Sequence, residues 1–274
     1  MTNASASSAA TPWIEKLARA GFAAKALLYA IIGVLAFQAA LGSGGKTTGT
    51  KGALREVLDK PFGSIALLII AVGLLGYAAW RIVEGFADPE RKGSDAKGLA
   101  LRGSFVVRGI AHAILAVQAI RLASSHGGGV QDGAAAKEAT SRAMTIPHGE
   151  WLVILLGATV ACFGLYQLYR GARSKLSKQL DFGRLRTEAG PWAIVVSRFG
   201  IAARGVVFAM IGVLLIKAGW HGKASESGGV GDALAALGDG ASGQIVLAIV
   251  AAGLVAYGAY EAVQARYRHI DATV

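Results

Sequence analysis

RAGFAAKALLYAIIG, from Arg19 to Gly33, returns as RGSFVVRGIAHAILA at Arg102 to Ala116 and as RFGIAARGVVFAMIG at Arg198 to Gly212. The three stretches align without a gap. Each sets a basic residue, a second six positions on, and a ring four further: Arg19, Lys25 and Tyr29; Arg102, Arg108 and His112; Arg198, Arg204 and Phe208. A second apolar stretch follows each, closing on paired aromatics: Tyr77 and Trp80, Tyr166 and Tyr169, Tyr257 and Tyr260. Repetition at this spacing defines the structural unit before any other feature does. The unit is a pair of hydrophobic helices, and it occurs three times.

Composition says where those helices belong. With 54% hydrophobic residues, 16% charged residues and a mean hydropathy of +0.49, the chain is too apolar for an ordinary soluble domain. Its charges gather between six apolar runs, roughly Ala20 to Leu41, Phe62 to Trp80, Ser104 to Leu122, Trp151 to Tyr169, Ile194 to Gly219 and Ile245 to Tyr260. A helix rises about 1.5 Å per residue, so about 20 residues cross a hydrocarbon layer about 30 Å thick. The runs are too long and too evenly apolar for the strands of a membrane barrel. The expected fold is an all-α polytopic membrane protein: six transmembrane helices forming three parallel two-helix repeats with approximate three-fold symmetry. An odd number of units that each enter and leave on one side makes the repeats parallel rather than inverted.

The expected organisation is a disordered cytoplasmic tail over 1–12, repeat 1 over 13–90, repeat 2 over 98–175, a basic cytoplasmic loop over 176–191 and repeat 3 over 192–268. The opening MTNASASSAATP has no basic residue and does not read as a secretory signal. The N-terminal flank, second and fourth loops and C-terminus hold 19 of the 28 Lys and Arg, while acidic residues divide nine against eight. That bias places both termini in the cytoplasm of a bacterial inner (plasma) membrane protein. The fourth loop, RSKLSKQLDFGRLR, mixes Leu176, Leu180, Phe182 and Leu185 with its charges, so the partner expected for it is an anionic headgroup surface and not nucleic acid.

The register also stacks residues into layers. Arg19, Arg102 and Arg198 form a cytoplasmic basic layer. Nineteen positions on, Gln38, Arg121 and Lys217 form a polar level about 28 Å away, one hydrocarbon thickness. Trp13, Trp192, Trp151 and Trp220 fall near the two interfaces. Between the layers lies an inner basic layer, Lys25, Arg108 and Arg204, about 9 Å deeper than the first. Two readings stand side by side. The three cations line an internal cavity, attracting a small anion or pairing with Glu84 or Glu261; or they lie along the helices and lift their charges to the headgroups. The middle repeat departs most, with His112 for the aromatic, Gln118 for Leu35 and Leu214, and Cys162 near Gly73 and Gly253. His112 and Gln118 are therefore candidate mid-membrane polar residues, His112 either as a titratable relay or as a packing residue bonded to a backbone carbonyl. The segments TKGALREVL, QDGAAAKEA and GDALAALGD read as short amphipathic helices on the outer surface.

Catalytic signatures are missing. LGSGGKTT imitates a phosphate loop, but Ala40 stands where that pattern needs Gly, and the stretch follows a helix. One cysteine and five scattered histidines give no disulfide framework and no metal set. No enzyme, metal or cofactor is expected. The functional expectation is permeation or binding of a small solute or anion within the bundle; the alternative is a non-catalytic scaffold or accessory subunit that binds lipid or a partner protein.

The repeated pattern itself is specific. Arg-x-Gly-x-x-Ala-Arg/Lys-Gly-x-x-Tyr/Phe-x-x-x-Gly is clearest at Arg198 to Gly212 and nearly kept at Arg19 to Gly33. Gly52 to Leu54, Pro61 to Gly63, and Gly73, Leu74, Tyr77 and Trp80 follow in order. The chain resembles bacterial membrane proteins of three tandem two-helix repeats, known as domain of unknown function 1206. That resemblance implies a bacterial plasma-membrane protein and carries no activity with it.

Overall fold

The computed structural model describes residues 4–88, 92–124, 133–173, 192–240 and 242–268. Among the described residues the order is α1 (Ala4–Ala40), α2 (Thr50–Leu58), α3 (Gly63–Ala87), α4 (Ala96–Ser124), α5 (Ala134–Met144), α6 (Gly149–Arg173), α7 (Trp192–His221), a 3-10 turn at Ala224–Glu226, α8 (Val230–Leu237) and α9 (Gly243–Tyr267). No strand occurs among them. Six helices, α1, α3, α4, α6, α7 and α9, are long and apolar enough to cross a membrane. Their outward faces fit that medium: Ile69 is 68% exposed, Val107 67%, Leu155 65% and Val195 67%. A water-soluble surface rarely carries so continuous an apolar coat.

The helical backbone begins at Ala4, inside the stretch expected to be a disordered tail. Alanine, the strongest helix former, carries α1 outward there. The basic loop expected over 176–191 lies outside the described residues.

Helix pairing does not follow the sequence repeats. The closest packing joins α1 to α9, α3 to α4, and α6 to α7, each a contact between neighbouring repeats. Contacts within a repeat are lighter, between α1 and α3 and between α7 and α9. Together these pairings run round the bundle in the order α4, α3, α1, α9, α7, α6. The ring stays open where it would close, because α4 and α6 of the middle repeat make almost no contact.

Small residues set the tightest junction. On α6, Gly157, Gly164 and Gly171 recur every seventh position, and a Cβ on Gly164 would sit 2.4 Å from the backbone nitrogen of Ala209. Gly205 and Gly212 of α7 face them equally closely, with an added Cβ 2.8 Å from the Gly164 carbonyl and 2.5 Å from the Ala161 nitrogen. Such backbone approach is how apolar helices associate where burial from water no longer drives them together.

The short helices differ from the surface elements expected of them. Ala53 and Leu54 of α2, and Ala233 and Leu234 of α8, are 0–1% exposed and join one core with Leu28, Ile32, Leu67, Leu74, Val250 and Leu254. They plug the end of the bundle remote from the termini. The reason is compositional: their apolar stripe has a hollow between long helices to fill. Only α5 stays peripheral, with Thr140 its one buried residue.

Candidate functional site: a cation-lined chamber

The first basic layer ties helices together. Arg19 donates to the carbonyls of Ala265 at 2.7 Å and Arg266 at 2.8 Å, at the end of α9. Arg102 does the same to Gly85 and Phe86 of α3, both at 2.9 Å. Arg198 donates to Gly171, at 2.9 Å, and to Ala172 of α6. The last carbonyls of a helix have no partner within it and carry the negative end of its dipole, so a guanidinium across two of them satisfies both needs. Each arginine caps the closing helix of the repeat before its own, and Arg19 completes the cycle.

Ten residues further in, nearly three turns, the same pairing is made by rings. Tyr29 stacks edge-on against Tyr257 at 4.6 Å, His112 lies tilted on Tyr77 at 4.6 Å, and Phe208 meets Phe163 edge-on at 5.3 Å. His112 thus occupies its repeat's aromatic slot. Its Nδ1 lies 2.8 Å from the Arg108 carbonyl, which only accepts, so Nδ1 carries a proton and donates to it.

Lys25, Arg108 and Arg204 converge on one interior chamber of about 100 Å³, which all six long helices line. Lys25 is 7% exposed and bonded to Glu261 at 2.7 Å, with the Tyr77 ring 4.4 Å beneath its amine. Arg204 lies over Phe208 at 4.5 Å and Tyr257 at 5.0 Å, and donates to the Tyr29 hydroxyl at 3.2 Å. Arg108 reaches from α4 towards α6, 5.9 Å from the Phe163 ring centre. Among the described residues neither Arg108 nor Arg204 has a carboxylate partner. The more distant polar level, Gln38, Arg121 and Lys217, is exposed instead. Trp151, Trp192 and Trp220 are exposed near the helix ends as well.

One wall of the chamber is a closed circuit of bonds. Lys25 reaches Glu261 at 2.7 Å and the Tyr77 hydroxyl at 3.4 Å; Arg81 donates to the same hydroxyl at 2.8 Å and to Glu84 at 2.5 Å. Arg268 bonds Glu84 at 2.9 Å and Gln264 at 3.1 Å, and Gln264 returns to Glu261 at 3.2 Å. Glu84 is 1% exposed and Glu261 0%, so pairing is what makes their burial tolerable. Both carboxylates proposed from the sequence as partners are therefore engaged, Glu261 with Lys25 itself and Glu84 with Arg81 and Arg268. Sequence reading missed Arg81, Gln264 and Arg268. A signal existed: Arg81, Arg170 and Glu261 each stand four residues after the first tyrosine of their repeat's closing aromatic pair.

The opposite wall, from α4, α6 and α7, supplies Arg108, Arg170 and Arg204 to the chamber and no carboxylate. Next to it is a second hollow, reached from the far end and lined by the first residues of α2, α5 and α8 together with Gln118. His112 and Arg204 line both cavities, so they form the partition between them. No group of three potential metal ligands exists among the described residues.

Comparison with known proteins agrees with the three-fold architecture. A family described as Domain of Unknown Function (DUF1206) matches three successive segments, residues 20–88, 103–174 and 199–268. The chain is 31% identical over 260 residues to the Bacillus subtilis (strain 168) "Uncharacterized protein YxxB", covering 94% of this chain and 93% of that protein. No solved structure matches. Three matched segments covering most of the chain, each one two-helix repeat, place this protein in the family described as Domain of Unknown Function (DUF1206).

Proposed function

We propose that the protein is a multi-pass bacterial membrane protein that binds a small anion in the chamber and lets it pass between the two hollows. The observation that carries this reading is the asymmetry of the chamber. On one wall the cations are paired directly with Glu84 and Glu261; on the other, among the described residues, Arg108 and Arg204 form no ion pair and lie against aromatic faces and a tyrosine hydroxyl, with Glu261 reaching Arg204 only from beyond bonding distance. A guanidinium among rings, away from bulk water, attracts anions strongly, and its planar fork suits the paired oxygens of phosphate, sulfate or carboxylate. Cations at this depth in apolar helices are costly and call for a partner.

The route of passage runs to one side of the axis. The far half of the axis is filled by Leu54, Leu234 and their neighbours, whereas the two hollows meet beside α4, at His112 and Arg204. At that partition His112 is held in place by the bond from its Nδ1 to the Arg108 carbonyl.

Flux of radiolabelled phosphate and sulfate into proteoliposomes tests the reading, with wild type compared to Arg108→Gln/Arg204→Gln. Wild type is expected to exceed protein-free vesicles at least tenfold and the double variant to fall to background. Equal flux in both, at background, overturns it.

A further inference from the structure

The opening in the helix ring has a cause in the sequence. In repeat 1, α1 meets α3 through Gly21, whose Cβ would lie 2.3 Å from that of Tyr77, and Gly73, whose Cβ would lie 2.9 Å from the Ala20 carbonyl. Repeat 3 does the same with Gly200 against Tyr257 and Gly253 against Ala203. In the middle repeat the equivalent positions are Ser104 and Cys162, so neither side is bare enough for that approach. The consequence is visible at the tyrosines: Tyr77 and Tyr257 are 2% and 5% exposed, while the matching Tyr166 is 59% exposed. Cys162 is exposed beside it. The α4–α6 seam is spanned at chamber depth by Arg108 reaching to the Phe163 ring.

A seam on the side of the bundle, within the apolar girdle, opens to the bilayer rather than to water. Behind it stand Arg108 and Arg170, both lining the chamber. Arg108 lies about 9 Å inward of the Arg102 layer, within reach of a headgroup drawn slightly into the membrane. We propose that the anion is the phosphate of a membrane lipid, which enters the chamber sideways between α4 and α6 and leaves its acyl chains in the bilayer. This rests on the binding half of the reading above, adds the source of the anion, and replaces passage to the second hollow with entry and exit through the seam. Charge complementarity selects the occupant: the pocket's open wall is cationic, and its doorway is apolar and faces lipid tails.

Native mass spectrometry of the purified, detergent-released protein tests this, with phosphatidic acid, diacylglycerol and inorganic phosphate as separate probes. Phosphatidic acid is expected to bind at least tenfold more tightly than either of the others, and Arg108→Gln to lose that margin. Arg108→Lys, which keeps charge but not the fork, is expected to retain part of it, and serves if the Gln variant does not fold. A Ser104→Cys variant joined to native Cys162 by a short bis-maleimide closes the seam; it is expected to exclude phosphatidic acid while inorganic phosphate still binds. If inorganic phosphate binds as well as the lipid, and seam closure changes nothing, lateral entry is wrong and the anion chamber stands. If no probe binds, both readings fall. If Cys162 of one molecule cross-links to Cys162 of another and lipid is excluded, a second copy covers the seam and the proposal is overturned.

Discussion

Arg19, near the start of the first apolar span at Glu15–Ala40, donates to the carbonyl of Ala265, near the end of the last long helix, at 2.7 Å. That bond closes the bundle between its two ends, and Arg102 and Arg198 repeat it between the other neighbouring repeats. Hydrogen bonds from charged donors contribute about 1.5–3 kcal/mol, and Arg19 is partly exposed, so about 1–2 kcal/mol is expected for each arginine. Arg19→Leu, Arg102→Leu and Arg198→Leu are therefore expected to lower thermal stability in detergent by similar amounts. Lysine at these positions should rescue only partly, because one ammonium cannot bridge two successive carbonyls as the guanidinium fork does. A large loss for one variant and none for the others would contradict the cyclic role.

Backbone contact between α6 and α7 makes Gly164 intolerant of any side chain. An added Cβ meets main-chain atoms of Ala209 and Gly205, which cannot swing aside as a side-chain tip can. Gly164→Val is expected to cost about 3 kcal/mol or more, at the upper end of overpacking penalties. Gly103→Ala is the matched control, since nothing lies within 4 Å of a Cβ there. Melting temperatures of the two variants in one detergent check the contrast.

Asp88, just beyond the end of α3, forms a pH-dependent latch. Asp88 accepts from the backbone amide of Lys92 at 2.6 Å and of Gly93 at 2.9 Å. These two bonds, chiefly that from Lys92, together with nearby Arg102, hold its carboxyl below the usual carboxylate range. A carboxyl pKa lowered by folding contributes stability above the unfolded value and loses it as pH falls through the folded one. Amide hydrogen exchange at Lys92 and Gly93 is thus expected to be slow at neutral pH and to accelerate, after correction for intrinsic rates, as pH drops below the carboxylate range. Asp88→Asn should show the fast behaviour at every pH.

Much of the architecture is legible in the repeated pattern because it depends on period and length: six spans, parallel repeats, and layers at equal depth. What the pattern could not give is partner choice. Arg19 finds its carbonyls on a helix more than two hundred residues away, because packing joins the closing helix of one repeat to the opening helix of the next. The apolar runs stop at Trp80 and Tyr260, yet α3 and α9 continue to Ala87 and Tyr267, bringing Glu84 and Gln264 into the chamber wall. Hydropathy ends a span at the first charges; a helix whose charges are paired inside a bundle has no reason to stop there. The amphipathic segments were legible as helices, but whether their apolar stripe meets lipid or a hollow between helices is decided only by the assembled fold.

Lys25 and Glu261 give the sharpest energetic contrast. Both are buried, and they meet at 2.7 Å within the closed circuit that includes Tyr77, Arg81, Glu84, Gln264 and Arg268. Lys25→Met strands a buried carboxylate left with two neutral donors, the Gln264 amide at 3.2 Å and the Tyr257 hydroxyl. Removing one member of a buried pair costs about 3–5 kcal/mol, whereas replacing both by neutral groups of similar volume is often nearly neutral. Lys25→Met is therefore expected to destabilise strongly, and Lys25→Met/Glu261→Gln to recover most of the loss. The double variant also removes one positive and one negative charge together, so the cationic wall formed by Arg108 and Arg204 keeps its net charge. Anion flux in that variant is expected to stay within about threefold of wild type, a change of less than about 1 kcal/mol. Thermal unfolding and proteoliposome flux on the same three proteins separate the two roles. A double variant that is stable but carries no anion would move the binding site from the Arg108–Arg204 wall to Lys25.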